Sequence, residues 1–446
     1  MRIIIAGAGD VGFHIAKLLS YENQDITIVD TDTEKLNYAS NQLDVATISG
    51  NAAHFETLKE ANIAKADLLI TVTNSEETNI ASAILGKHLG AEKTIARISN
   101  IRYREDEHNR ELNALGIDEL ISPESLASKE IERLLEKAAL TDKFDFDDGL
   151  LSLIGIHIHE NDILLGKTIS EASFLNPDLD FLTVAILRNN ETIIPRGDTV
   201  VKNNDHVYFI AQPSGIERIA KMTNKEKVEI KDVMIIGSSK LGYHAAQRLE
   251  KKYRIKLICE DKKKAFQLAD ELKDVLVING DLHDVKLLEE EGLNDMDAFI
   301  AVTDDSETNM IASLVAKNHG VEKTVALVEN IEYIHLSQNI GVDTLINKKL
   351  IAANFIFRYI RKGEIVSIAS LHGVEAEVLE FEVKETSKIT EQQLKKLGFP
   401  KGAIVGGVIR NGQGLTALGD FKFKPKDRVV VLSRPECIEV IENFFN

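Results

Sequence analysis

The sequence predicts an α/β protein: two doubly wound parallel sheets, each followed by a small α+β domain, in the order A-B-A′-B′. Three observations carry this. Short β-branched runs alternate with stretches of helical spacing from the first residues onward, the pattern of parallel strands covered by helices. A glycine-rich turn, Gly7-Ala8-Gly9-Asp10-Val11-Gly12, separates the first such run from the first helical stretch. The chain also repeats itself. An offset of 230 lays Gly7 on Gly237, Gly12 on Gly242, His14 on His244, Asp30 on Glu260, and Glu77-Thr78-Asn79 on Glu307-Thr308-Asn309. One offset held through strands and loops alike marks a duplication.

Taken in order, residues 2–6, 26–29, 45–48, 68–72 and 94–98 read as buried strands, with Ile15, Leu18 and Leu19 on a helix after the glycine turn. They place a first Rossmann domain at 1–124. A connecting helix at 125–140 follows, with Leu126, Ile131, Leu134, Leu135 and Ala138 towards one face. A small domain at 141–222 has strands 151–157 and 182–188 around a short helix near 170–174. After the charged linker Lys225-Glu226-Lys227 come a second Rossmann domain (231–349), a second connecting helix (350–362) with Phe355, Phe357 and Tyr359, and a second small domain (363–446). At an offset of 222, Arg188, Gly197-Asp198 and Asp205 recur as Arg410, Gly419-Asp420 and Asp427. The connecting helices are too apolar for one small domain to cover. They pack either within their own chain or against a neighbouring subunit.

Composition narrows the function. A formal charge of −18 without a basic stripe argues against nucleic acid. No apolar run approaches the roughly 18 residues of a membrane span. The first residues read as a buried strand rather than a secretory signal, so a cytoplasmic location is expected. Cys259 and Cys437 stand outside any C-x-x-C arrangement and read as a reduced pair.

In the glycine turn, Gly7 permits the tight bend, Gly9 lets backbone approach a pyrophosphate, and Gly12 lets helix and sheet pack closely. Asp30 closes the second strand, where a carboxylate accepts from both adenosine ribose hydroxyls. With Asp32 it disfavours a 2′-phosphate, so NAD is expected rather than NADP. Thr73-Asn74 and Arg97 end the fourth and fifth strands at the same edge. Arg97 reads either as an ion-pair partner of Asp30 or Glu77 or as a ligand contact. Gly50-Asn51 reads either as an adenine site or as a turn. In the second copy Ser239 replaces Gly9, Lys240 replaces Asp10, Leu327 replaces Arg97, and Glu260 keeps the carboxylate. Gly166-Lys167-Thr168 lacks the upstream glycine of a phosphate loop, with Asn161 in its place. His157 and His159 lack a third ligand nearby, so no metal site is expected.

With the duplication, the glycine turn and Asp30, the Ser49-Gly50-Asn51-Ala52 turn and the run from Thr71 to Asn79 in view, the chain resembles the TrkA family. Its members are cytoplasmic regulatory subunits of bacterial Trk potassium uptake systems, and each half is similar to a regulator-of-potassium-conductance (RCK) unit. The family usually has aspartate after the glycine of that turn, where this chain has Asn51 and, in its second copy, Asp281. The resemblance implies a peripheral place on the membrane beside a potassium-translocating subunit and assembly as a homotetrameric ring. It also implies that NAD, NADH, ATP or ADP shifts that ring between shapes that open or close the pore. Carried over position by position, the nucleotide contacts are Gly7, Ala8, Gly9, Asp10, Val11, Asp30, Thr73, Asn74 and Arg97, and in the second half Gly237, Ser238, Ser239, Lys240, Leu241 and Glu260. An NAD-dependent oxidoreductase needs a substrate domain and a proton donor. A chain made of two duplicates offers neither, so no enzyme is expected. A regulator of another cation transporter is the remaining alternative.

Overall fold

The computed structural model describes residues 1–20, 24–136, 142–158, 160, 162–189, 191–222, 230–330, 333, 341–361, 365–370 and 376–445. In the first sheet, β1 (Arg2–Ala6), β2 (Asp25–Asp30), β3 (Ala46–Ser49), β4 (Leu68–Thr71), β5 (Lys93–Arg97) and β6 (Glu119–Ile121) run parallel in the order β3-β2-β1-β4-β5-β6. Between them lie α1 (Asp10–Ser20), α2 (Thr33–Gln42), α3 (Phe55–Glu60), α4 (Glu76–His88) and α5 (Asp106–Ala114). Successive side chains of a strand point to opposite faces, and here both faces are covered. Ile3 and Ile5 pack with Val11, Ile15 and Leu19 of α1, whereas Ile4 packs with Leu58, Ile63 and Leu69. The strand order reverses between β1 and β4, which opens a crevice at their carboxyl ends.

Helix α6 (Pro123–Glu136) leads into an antiparallel sheet of β7 (Asp142–Phe146), β8 (Leu151–His157), β9 (Phe181–Arg188), β10 (Glu191–Ile193) and β11 (His206–Ala211), with α7 (Ile169–Ala172) and α8 (Pro213–Met222). The second half repeats the plan. Its parallel sheet comprises β12 (Asp232–Ile236), β13 (Arg254–Cys259), β14 (Val275–Asn279), β15 (Ala298–Ala301), β16 (Lys323–Leu327) and β17 (Thr344–Ile346). Its helices are α9 (Lys240–Leu249), α10 (Lys262–Glu271), α11 (Val285–Glu290) and α12 (Ser306–Asn318). Then come α13 (Lys348–Arg361), a second antiparallel sheet of β18 (Ile365–Ser370), β19 (Glu377–Glu382), β20 (Ala403–Arg410), β21 (Gln413–Leu415) and β22 (Arg428–Ser433), and α14 (Ile438–Phe445).

The recurring Arg and Asp of the small domains are structural. Arg188 grips the buried carboxylate of Asp205 through two bonds of 2.7 Å, and Arg410 grips Asp427 at 2.7 and 2.6 Å. Such two-pronged pairs fix geometry as well as adding energy. His157 stacks on His206 with ring centroids 4.2 Å apart. His159, Asn161, Ala138 and the linker at 225–227 lie outside the described residues. Cys259 and Cys437 are free thiols. Among the described residues no helix is long and apolar enough to cross a membrane.

The connecting helices settle their partners within the chain, each by crossing to the other half. Ala127, Ile131, Leu134 and Leu135 of α6 share a core with Leu241, Ala245 and Leu249 of α9. Glu132 adds ion pairs to Arg248 at 3.3 Å and Lys252 at 2.7 Å. Conversely, Ala352, Ala353, Ile356 and Phe357 of α13 pack against Val11, Ile15 and Leu19 of α1. Phe357 is only 3% exposed, and Phe355 is half-buried against the same cluster. The reading of these apolar faces as contacts with a neighbouring subunit is therefore corrected, because this intrachain exchange already covers them. Both helices also start earlier than the sequence suggests, at Pro123 and Lys348.

Candidate functional site

The first glycine turn lies at the point where the strand order reverses, and its three glycines differ in what they do. Gly7 has φ +116°, and a Cβ there would lie 2.9 Å from the carbonyl carbon of Val72. A Cβ on Gly12 would lie 1.8 Å from the Gly7 carbonyl oxygen. Both are glycine because the fold demands it. A Cβ on Gly9, in contrast, would meet no protein atom within 4 Å. Packing does not explain Gly9. It keeps the backbone bare beside the start of α1, where the N–H groups of a first helical turn point outward and attract negative charge. Asp10 is exposed and Val11 is buried at 4%.

Asp30 is held against this turn. Its carboxylate accepts from the Ala8 N–H at 2.6 Å and from the Asp32 N–H at 2.9 Å. Asp32 caps α2, accepting from the N–H groups of Glu34 and Lys35, and pairs with the Lys35 ammonium at 3.1 Å. The sequence missed this partner, which offsets the extra negative charge assigned to Asp32.

Thr73 follows β4, and its N–H and hydroxyl both donate to Oδ1 of Asn79, at 2.8 and 2.7 Å. Asn79, 1% exposed, in turn donates from Nδ2 to the carbonyls of Thr73 and Arg97. It thus staples the ends of β4 and β5 at the crevice. Asn309 does the same for Thr303 and Leu327 in the second half. Sequence reasoning assigned Asn79 no role, although the shared Glu-Thr-Asn run carried the signal. Asn74 is exposed at the tip. Arg97 is half-buried, and among the described residues its guanidinium makes no ion pair with Asp30 or Glu77. Gly50-Asn51 is a turn: the Gly50 N–H donates to the Asp30 carbonyl, and the Asn51 side chain accepts from the Ala53 N–H.

The second turn keeps the glycines that the fold needs and loses the other. Gly237 has φ +104°, and a Cβ on Gly242 would lie 2.0 Å from the Gly237 carbonyl oxygen. At the position of Gly9, the Ser239 hydroxyl donates to the Val302 carbonyl at 2.7 Å and accepts from the Gly242 N–H at 3.3 Å, capping α9 itself. Ser238 is half-buried, Lys240 is exposed and Leu241 is buried. The Glu260 carboxylate faces the Leu282 N–H at 3.5 Å and His283 at 3.6 Å. With Asp281, these exposed groups converge within 4.8 Å and bond among themselves.

One participant comes from far along the chain. Lys349, at the start of α13, places its ammonium 2.5 Å from the Asp10 carboxylate and 2.9 Å from Glu329. Lys348 also reaches Glu329, at 2.9 Å. Burial alone would raise the Glu329 pKa, but bonds to Lys349 and Lys348 outweigh it and hold the carboxyl below its usual range. A residue of the second half is thereby fixed at the glycine turn of the first.

Comparison with known proteins agrees with this duplicated plan. Residues 3–123 and 233–348 match the TrkA-N domain, and residues 153–224 and 378–446 match the TrkA-C domain. The chain is 32% identical to the Trk system potassium uptake protein TrkA of Halomonas elongata, covering 97% of this chain and 95% of that protein. It is 31% identical to the protein of the same name from Vibrio alginolyticus, over 100% of this chain and 98% of the other. Among solved structures, the GsuK RCK domain superposes with a TM-score of 0.60 at 16% identity, covering 100% of this chain and 94% of that one. A structure described as the GsuK channel bound to NAD also has a TM-score of 0.60 at 16% identity, over 100% and 78% of the two chains.

Proposed function

This chain belongs to the TrkA family, and from that premise we propose that it is the peripheral cytoplasmic regulatory subunit of a Trk-type potassium uptake system. In this reading its first crevice binds an NAD-type dinucleotide, and ADP or ATP as related ligands. Gly9 carries it. Gly9 is free to bear a side chain as far as the fold is concerned, whereas Gly7 and Gly12 are not. A ligand that needs bare backbone at the start of α1 accounts for that pattern, and a pyrophosphate has the charge and shape for it.

The remaining residues fit the same ligand. Gly7, Ala8, Gly9, Asp10 and Val11 would cradle the pyrophosphate, and Asp30 would hold the adenosine ribose. Thr73 and Asn74 would line the distal side, and Arg97 supplies a cation at the same edge. The same position-by-position assignment in the second half gives Gly237, Ser238, Ser239, Lys240, Leu241 and Glu260. The Ser239 cap weighs against equal binding there. The bound nucleotide would act by preferring one of two shapes of a homotetrameric ring set against the membrane potassium-translocating subunit, since equal affinity for both shifts nothing. The role is regulatory rather than catalytic: the second half duplicates the first, leaving no separate substrate domain.

Calorimetry with NADH tests this directly. Gly9→Ser, which copies the second turn, is expected to keep the wild-type melting temperature and lose binding. Wild-type affinity in a folded Gly9→Ser variant would remove the glycine turn from the site.

A further inference from the structure

The helix exchange sets Lys349 at the glycine turn of the first half, and Glu124, at the equivalent position of the other connecting helix, near His244 on the helix that follows the second turn. The alignment that lays Gly116 on Gly341 lays Glu124 on Lys349. Each sits in the first turn of its connecting helix, α6 on α9 and α13 on α1. The residues opening the helices they approach are reversed as well, Asp10 in the first half and Lys240 in the second.

The two environments differ accordingly. Glu124 is 7% exposed, and its Oε2 has no hydrogen-bond partner. On α9 the Nδ1 of His244, 8% exposed, is also unbonded. Burial lowers the His244 pKa, with Glu124 opposing and Arg248 and Lys240 assisting. A carboxyl group at this position brings no cation to a phosphate, whereas the lysine at the equivalent position of the first half brings an ammonium with three donors. At the first turn, burial disfavours the charge on Lys349, but bonds to Asp10 and Glu329 outweigh it and hold its pKa above the ordinary lysine range. Asp10 is a weak competitor for that ammonium, because its side chain is 67% exposed.

Resting on the nucleotide reading of the first turn, we infer that Lys349 is a phosphate-binding residue of the first crevice donated by the second half, and that Glu124 in the equivalent place brings no such cation to the second turn. The ammonium exchanges the exposed Asp10 carboxylate for the pyrophosphate and keeps Glu329 as its other partner. A ligand held by the first half then grips a helix of the second, so occupancy bears on the contact between the halves.

The test titrates the full chain and its Lys349→Ala and Lys349→Arg variants with NADH, ADP and adenosine. Loss of one charge-assisted contact is expected to weaken NADH and ADP about tenfold in Lys349→Ala. Adenosine affinity in the folded variant should stay as in the wild type, and Lys349→Arg should restore the phosphate ligands. The wild type should saturate at a single ligand per chain. Unchanged ADP affinity in Lys349→Ala, or an equal loss for adenosine, would overturn the role of Lys349. Two equivalent sites in the wild type would overturn the role of Glu124. A wild type that binds none of the three ligands would instead refute the nucleotide reading beneath both.

Discussion

Asp30 has one task in the fold and a second in the proposed complex. Its carboxylate tethers the glycine turn through Ala8, and in the proposed complex it also holds a ribose. Asp30→Ala is therefore expected to weaken NADH at least tenfold, about 1.4 kcal/mol. Calorimetry in a folded variant with undiminished affinity would contradict this. His14, on α1, supplies a pH-dependent contribution. Burial, helped by Lys17, lowers its pKa from 6.5 to about 4. A depressed pKa in the folded state means that stability is full above pH 6.5 and is lost as the pH falls towards 4. The shift amounts to about 3 kcal/mol between pH 7 and pH 4. Urea unfolding of wild type and His14→Gln at the two pH values checks it: the wild type should lose more stability than the variant, and parallel losses would exclude His14 as the cause. At this scale the sequence was legible where the fold itself demands one residue type, as with the tight bend at Gly7 and the close packing at Gly12. It was silent on Asn79, whose amide bonds carbonyls of two strands, and on Lys349, which lies 339 residues from Asp10.

Five strands of the first parallel sheet were readable because buried β-branched runs are local patterns, and the second sheet followed from the duplication; β6, three residues long, is too short to show such a pattern. The partner of an apolar helix face is not local. The spacing of Leu126, Ile131, Leu134 and Leu135 showed that α6 needed covering, but nothing in it pointed to α9 of the other half. This exchange makes α13 part of the first Rossmann domain's core. Phe357→Ala should cost about 3–5 kcal/mol, the usual range for truncating a buried phenylalanine. Because α13 covers α1, the same variant should also loosen the first glycine turn. Hydrogen exchange is the suitable readout, with faster exchange expected along α1 and little change along α9. Uniform exchange throughout would show that the helix is not specifically part of the first half's core.

Across the whole molecule, duplication followed by divergence has given two similar scaffolds different surfaces at their turns. Each half keeps the glycines that its backbone needs, its Asn staple and its Arg–Asp clamp. The glycine that packing does not require survives only in the first, where serine replaces it in the second. The halves are joined through exchanged helices, and their small domains share a core in which Leu151, Leu153 and Ile210 meet Val378, Val430 and Leu432. A change at the first turn thus has a packed route to the second half. The most direct measurement is potassium flux through the reconstituted transporter, with this chain added as wild type or as Gly9→Ser, across a titration of NADH. The expected result is a flux that changes with NADH for the wild type and stays flat for Gly9→Ser, with both proteins bound to the membrane subunit. An NADH response of equal size in the variant, or none in the wild type with NADH or ADP, would contradict regulation through the first glycine turn.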